Sequence, residues 1–396
     1  MPVPLLDLRL QYGQVKEEVE QRLLALCESQ QFILGRPVAE LEEAVRDYTR
    51  CGHAVGTSSG TDALLAIFMA MGIGRGDAVI TTPYTFFATA GCIDRVGAEP
   101  VFIDIDPVTY NMDPGKLDEC LHKTCRSGPD GRLVTPGGNR VRAIMPVHLF
   151  GCVCEMDRIN ALAKKFDLPV VEDAAQAIGA DYPSATGKNW RAGAIGEASY
   201  FSFFPSKNLG AFGDAGMATC REEVLALEMK KMRNHGMGAR YHHEKVGGNF
   251  RLDAMQATVL QAKLPHLDHW HAARRNNADL YRSKFAALGL LDRLTLPHEP
   301  YASSGLTNHH IYHQYVVRLA ERDQVRESLT AAGIGCAVYY PVPLHLQECF
   351  ASLGYSQGDF PEAEKAARET LALPIYPELS DQQISEVVEA LGRALS

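Results

Sequence analysis

Two stretches of the chain hold residue types that could do chemistry together. The first is VEDAAQAIGA, Val171 to Ala180. Its apolar approach, Pro169–Val171, reads as a buried strand, so Glu172 and Asp173 fall at a strand's carboxyl end, where open α/β sheets bind ligands. By itself Asp173 reads more simply as a cap on the helix-forming AAQA that follows. Gln176 lies three residues on, close enough for one turn to bring it over the same place. The second stretch is FSFFPSKNLG, Phe201 to Gly210, in which apolar and aromatic residues run up to Lys207. Lysine is rarely buried. One that follows a buried strand is either a snorkelling surface group or a reactive amine.

A carboxylate and an amine brought by two strand ends suggest pyridoxal 5'-phosphate. A lysine amine forms a Schiff base with that cofactor's aldehyde, and an aspartate pairs with its pyridinium nitrogen. The carboxylate keeps the ring nitrogen protonated, and Gln176 is placed to hydrogen-bond the ring's phenolic oxygen. The phosphate needs donors. SSGT, Ser58 to Thr61, lies between a short apolar run and a helix starting near Asp62, an arrangement that presents N–H groups and a favourable dipole to anions. Ser202 adds a hydroxyl five residues before Lys207. The ring also needs a covered face, and TTPYTFFATA, Thr81 to Ala90, offers three aromatics, of which Phe86 is the choice. Each of these pieces has a bland counterpart, helix capping for SSGTD and core packing for the aromatics. Their weight lies in the combination.

The elements that must position these residues follow from the pattern of the chain. Short β-rich runs at His53–Gly56, Ala78–Thr81, Val101–Asp104, Ala143–Val147, Pro169–Asp173 and Ala198–Phe203 alternate with helical patterns such as Glu155–Phe166, which predicts βαβ units and a largely parallel sheet. Val15, Val19, Leu23 and Leu26 mark an amphipathic helix before the first of them. From Leu225 the character changes. A helical stretch from about Asp253 to Leu288 leads to strand-like QYVVRL and CAVYY and to helical patterns at Arg322–Ala332 and Asp381–Leu395. The expected division is a large domain, 1–260, and a smaller α/β domain, 261–396. Lys123–Arg142 and Asp181–Arg191 read as long loops.

Composition bounds the rest. The 396 residues are 46% hydrophobic and 22% charged, enough for a sizeable core, and the net charge of -9 argues against a nucleic-acid partner. No apolar run approaches the ~20 residues of a membrane span. The N-terminal MPVPLLDLRLQYG has no signal-peptide pattern. The 10 cysteines are scattered, as reduced thiols are, so a cytoplasmic protein is expected. His242–His243 and NHHIYH, Asn308 to His313, bring no acidic or thiol ligand set with them, so no metal is expected.

Together the motifs resemble the DegT/DnrJ/StrS sugar aminotransferases. The resemblance runs through LLDLRLQYGQVKEEV, QFILGRPVAELE, SSGTDAL, VEDAAQAIGA, SFFPSKNLGAFGDAGM, VGGNFRLDAMQA and LALPIYPEL, which span most of the chain. It implies a fold-type I, aspartate aminotransferase-like architecture with a mostly parallel seven-stranded sheet, helices on both faces and a smaller C-terminal α/β domain. Position by position, it implies Lys207 as the Schiff-base lysine, Asp173 as the pyridinium partner and Gln176 beside the ring oxygen. Gly60, Thr61 and Ser202 fall at phosphate ligands and Phe86 at the stacking position. Asn249 matches a residue reaching the phosphate from a neighbouring subunit, which implies a homodimer with shared active sites. Arg251, Tyr339 and Tyr340 look like substrate contacts. The implied reaction moves an amino group from L-glutamate to a nucleotide-linked keto sugar, and LLDLRLQYGQVKEEV and QFILG look more like enzymes that aminate C3. The alternatives are a 4-keto sugar, a keto-cyclitol, or a non-catalytic regulator on the same fold. A dehydrating branch that carries histidine in place of the lysine is opposed by Lys207.

Overall fold

The structure is a computed structural model that describes residues 2–128 and 131–396. Seven strands make its central sheet: β1 His53–Thr57, β2 Asp77–Thr81, β3 Glu99–Phe102, β4 Arg140–Ile144, β5 Val171–Asp173, β6 Ala198–Ser202 and β7 Gly216–Cys220. Their order is β3-β2-β4-β5-β6-β7-β1, with β4 and β5 joined by parallel bridges at Ile144–Val170 and Val147–Asp173. Every neighbouring pair is parallel except the two that involve β7. This is the mostly parallel seven-stranded sheet that the resemblance implied.

Alternation along each strand sends side chains to two separate cores. Ala78, Ile80, Ile144, Phe201 and Met217 join one, while Val79, Ala143, Tyr200 and Ala218 join the other. Both faces are therefore covered, which is why these strands read as unbroken apolar runs. Helices α1 Leu8–Ser29, α2 Arg36–Thr49, α5 Met156–Lys165 and α7 Ala254–Lys263 bury their apolar stripes in the first core. Helices α3 Gly60–Ala70, α4 Ala88–Arg95 and α6 Glu223–Met232 serve the second. The apolar stretch Ala63–Phe68 of α3 is wholly buried, as expected of a helix that is hydrophobic all round.

A third core gathers the C-terminal elements: the antiparallel pair β8 Tyr315–Arg318 and β9 Thr370–Leu373, and helices α9 Arg322–Ala331 and α10 Asp381–Leu395. Helix α8, Leu267–Ala287, serves two cores. Its Leu267 and Trp270 belong to the sheet, and its Ala278, Tyr281 and Phe285 to the C-terminal core. Val3 is fully buried in that same C-terminal core. Its N–H donates to the Gly333 carbonyl at 3.0 Å, and its own carbonyl accepts from the Gly335 N–H at 2.7 Å.

Several expectations change. The helix expected from Asp253 to Leu288 is two helices, because Pro265 sits in a 3-10 turn, Leu264–His266, that breaks the hydrogen-bond ladder. CAVYY is not a strand: only Ala337 finds a partner, Ala372 of β9. Helix α2 and strand β7 had no counterpart among the expected elements. The two long loops are hairpins. Arg126–Ser127 pairs with Leu133–Val134, which continues into β4, and Asp181–Pro183 pairs with Asn189–Arg191. No helix among the described residues is long and apolar enough to cross a membrane.

Candidate active site

Strands β5 and β6 pair in parallel with Tyr200 opposite Asp173, so their carboxyl ends open to the same place. Asp173 is buried. Its Oδ2 accepts the Thr89 hydroxyl at 2.7 Å, and its Oδ1 accepts the Ala175 N–H at 3.2 Å. The second bond folds the chain into a turn, continued by the Ala177 N–H to the Ala174 carbonyl at 2.9 Å. AAQA is thus a turn and not the helix its residue types favour. Glu172 points to the opposite face. It is fully buried and accepts N–H groups of Gly193, Ile195 and Gly196 at 3.0, 2.8 and 2.7 Å. His148 Nδ1 accepts the Cys154 N–H at 3.2 Å, so its Nε2 carries the proton and donates to Glu172 at 2.9 Å. Of the two adjacent carboxylates, Glu172 is consumed by the scaffold. Asp173 makes no ion pair among the described residues, although buried anions ordinarily take a cationic or strongly donating partner.

Lys207 follows β6 by five residues, in a loop pegged by buried Phe203 and Leu209 and closed by its own N–H to the Phe204 carbonyl at 2.8 Å. The side chain keeps some exposure, yet its amine is crowded by protein. Burial pushes it from the ordinary 10.5 down to about 8, and the charge of Asp173 pulls the other way. Next to it, Asn208 Nδ2 donates to the Ile311 carbonyl at 3.0 Å, which leaves Asn208 Oδ1 to accept from His313 Nδ1 at 3.0 Å. Burial first, then the nearby Lys207 and Arg274, hold that imidazole well below its usual range, so it stays neutral.

Gly60 opens α3. The Ser59 hydroxyl caps the helix by accepting the Asp62 N–H at 3.0 Å. A Cβ on Gly60 would stand 2.8 Å from Ser202 Cβ, too close for any side chain. The missing side chain lets the end of β6 close onto the first turn of α3. A hydroxyl and the free N–H groups of a helix start then share one cradle, with Thr61 exposed beside it.

Gln176 Oε1 accepts the Phe150 N–H at 2.7 Å, and its Nε2 donates to the Tyr340 hydroxyl at 2.9 Å. The Tyr340 ring lies 6.3 Å from Phe86, centroid to centroid. Phe86 is 58% exposed, an aromatic ring left uncovered beyond the end of β2. Tyr339 lends its carbonyl to the Tyr84 hydroxyl at 2.5 Å. Its residue also lines a cavity of about 60 Å³ with Leu5, Leu6, Ser206, Arg274 and His313. Asn249 and Arg251 lie beside the α3 loop: Arg251 bridges Thr57, and the carbonyl of intervening Phe250 accepts the Ser58 N–H at 3.0 Å. Arg251 Nη1 donates to Asn234 Oδ1 at 2.8 Å, while Asn249 is exposed. Neither is hydrogen-bonded to Asp173, Gln176 or Lys207.

Thr89 and Tyr200 were not among the expected site residues. The Tyr200 hydroxyl is held well above its usual range by burial and then by the charge of Asp173. Thr89 stands three residues after Phe86 in TTPYTFFATA, one turn along, which is the local signal that would have found it. The histidines of NHHIYH go to packing. His309 Nε2 lies 3.1 Å from Glu299 Oε1, and Glu299 also takes the Arg282 guanidinium. Among the described residues there is no group of three or more His, Cys, Asp or Glu that could hold a metal ion.

The residues fit pyridoxal phosphate on three separate points: an amine lowered toward neutrality, a buried carboxylate without a cation, and a cradle that a Cβ would fill. The comparisons run the same way. The chain is 45% identical, over 99% of its length and 98% of the relative's, to the "Pleiotropic regulatory protein" of Geobacillus stearothermophilus. It is 39% identical, over 99% and 98%, to the UDP-N-acetyl-3-dehydro-alpha-D-glucosamine 3-aminotransferase of Acidithiobacillus ferrooxidans. The crystal structure of S. venezuelae DesV in complex with a ketimine intermediate superposes with a TM-score of 0.89 at 35% identity, covering 100% of this chain and 99% of DesV. The model of the DegT/DnrJ/EryC1/StrS aminotransferase family matches residues 14–392, and the chain belongs to that family.

Proposed function

We propose that this chain is a pyridoxal phosphate-dependent aminotransferase that moves an amino group from L-glutamate to the C3 keto group of a nucleotide-linked hexose, in amino-sugar biosynthesis. One observation carries the reading: a lysine amine lowered to about 8 shares a site with a buried carboxylate that has no cation of its own. The cofactor, when bound, supplies an aldehyde for the amine and a ring that accepts electrons from the donor's α-carbon. Lys207 holds the cofactor. With the cofactor bound and its amine freed by the donor, Lys207 Nζ would take the α-proton as base and then pass it as acid to the carbon that bore the cofactor's aldehyde, work that must begin from the neutral amine. Asp173 accepts the ring N–H, and Gln176 meets the ring's phenolic oxygen through the amide that now reaches Tyr340. Gly60, Thr61 and Ser202 hold the phosphate, and Phe86 covers a ring face.

Asn249 reaches the phosphate of a second copy, which makes the working unit a homodimer with shared sites. Arg251, Tyr339 and Tyr340 meet the sugar nucleotide. The choice of C3 and of a nucleotide-linked hexose draws on the 3-aminotransferase name of the relative at 39% identity. All ten cysteines are free, which suits a cytoplasmic enzyme.

The experiment follows the visible absorbance of the purified protein as L-glutamate is added. Loss of the cofactor's visible band, with growth of the pyridoxamine form, supports the first half-reaction and opens a comparison of 3-keto with 4-keto nucleotide sugars. The regulatory name of the relative at 45% identity favours a second reading, a non-catalytic protein on this fold. A band indifferent to glutamate and glutamine would speak for it and against transamination.

A further inference from the structure

A line of buried hydroxyls ends on Asp173. Thr89 Oγ1 lies 2.7 Å from Asp173 Oδ2 and 3.0 Å from Thr85 Oγ1, and both threonines are buried. A threonine hydroxyl has one proton, and a carboxylate only accepts. The Thr89 proton therefore goes to Asp173, and Thr89 accepts from Thr85, which fixes the direction of the whole line. A threonine hydroxyl in a helix ordinarily bonds locally, to the backbone carbonyl four residues earlier in the interior or to a nearby backbone N–H at the start. Thr89 instead reaches across 84 residues of sequence to another element. Asp173 Oδ1 is held separately by the Ala175 N–H, so both carboxylate oxygens are pinned and the group cannot turn about its Cβ–Cγ bond. The Thr89 N–H, for its part, donates to the Phe86 carbonyl at 3.2 Å, so one turn presents both the exposed ring and the hydroxyl.

We propose that Thr89, with Thr85 behind it, is the positioning residue for Asp173, its hydroxyl aiming the carboxylate at the ring nitrogen of the cofactor. The proposal rests on the cofactor reading above. Pyridoxamine 5'-phosphate is the suitable probe, because it keeps ring and phosphate but has no aldehyde for Lys207. Its binding to the full chain, freed of cofactor, is measured calorimetrically for wild type, Thr89→Val, which keeps the shape without the hydroxyl, and Thr89→Ser, which keeps the hydroxyl. A hydrogen bond to a charged group sets the scale. Thr89→Val weakens the probe roughly tenfold to a hundredfold, and Thr89→Ser stays within about threefold of wild type. In an Asp173→Asn background Thr89→Val has no further effect, a result that a merely structural role would not give.

Equal binding by a folded Thr89→Val overturns the proposal. So does a loss of the same size in the Asp173→Asn background. Should Thr89→Val not fold, Thr85→Val takes its place, with a smaller loss expected and wild-type binding as the contrary result. Wild-type protein that takes up neither pyridoxal phosphate nor the probe overturns the cofactor reading itself, and this proposal with it.

Discussion

Replacing the reactive lysine should make the cofactor-free protein more stable. The Lys207 amine gives up its proton at about 8 in the folded chain, against an ordinary 10.5, because burial outweighs the attraction of Asp173. Between those two values the unfolded chain binds a proton that the folded chain lacks, so wild-type stability rises with pH across the window. Below about 8 both states are charged and the folded state carries the full cost. The gap corresponds to ~3 kcal/mol, and the partial exposure of the side chain trims the expectation to ~1–3 kcal/mol. Lys207→Met keeps the length and removes the charge. Urea unfolding of both cofactor-free proteins, at one protein concentration and from pH 7 to 10.5, reads the difference directly. The variant should be the more stable at pH 7, with an advantage that shrinks toward zero near pH 10.5, although it has lost turnover. A variant less stable than wild type at pH 7, or an advantage flat in pH, would refute the reasoning that burial strains this amine.

Two further outcomes follow from the packing. Gly60→Ala puts a Cβ 2.8 Å from Ser202 Cβ, well inside ordinary carbon contact, so β6 and α3 must part. Overpacking of this kind costs about 1–3 kcal/mol. The sharper readout is pyridoxamine phosphate affinity, which should fall at least tenfold, and unchanged affinity would remove the cradle from Gly60 and Ser202. Glu172→Ala leaves three buried N–H groups and His148 without their acceptor, and should lower unfolding stability by about 3–5 kcal/mol. A loss under 1 kcal/mol in denaturant unfolding would show that water replaces the carboxylate.

What could be read from the sequence was chemistry tied to strand ends. Asp173 and Lys207 stood out because β-branched or aromatic runs preceded them, and the fold does deliver both to adjoining strand ends. What escaped was set by distant partners. Strand β7, GMATC, is small and buried on both faces, so no alternation marks it, and its antiparallel sense depends on the strands it joins. CAVYY has strand-forming residues, but a strand needs a partner along its length and only Ala337 has one. AAQA favours a helix by composition, yet Asp173 accepts the Ala175 N–H and the chain turns instead. Thr89 was in view among the aromatics, but its partner is a carboxylate 84 residues away. Spacing within one segment cannot reveal that.

The placement of Val3 has a bearing on how the protein is made. It leaves the ribosome long before Gly333 and Gly335, whose backbone groups hold it. The segment around Val3 must wait undocked while the sheet, Asp173 and Lys207 can already assemble, since contacts of such long sequence separation close last. Leu5 and Leu6, which wall the cavity beside Ser206 and Tyr339, arrive with it. A growing chain can therefore bring Asp173 and Lys207 together before that cavity is walled, and Leu5 and Leu6 take their places only once synthesis has passed Gly335.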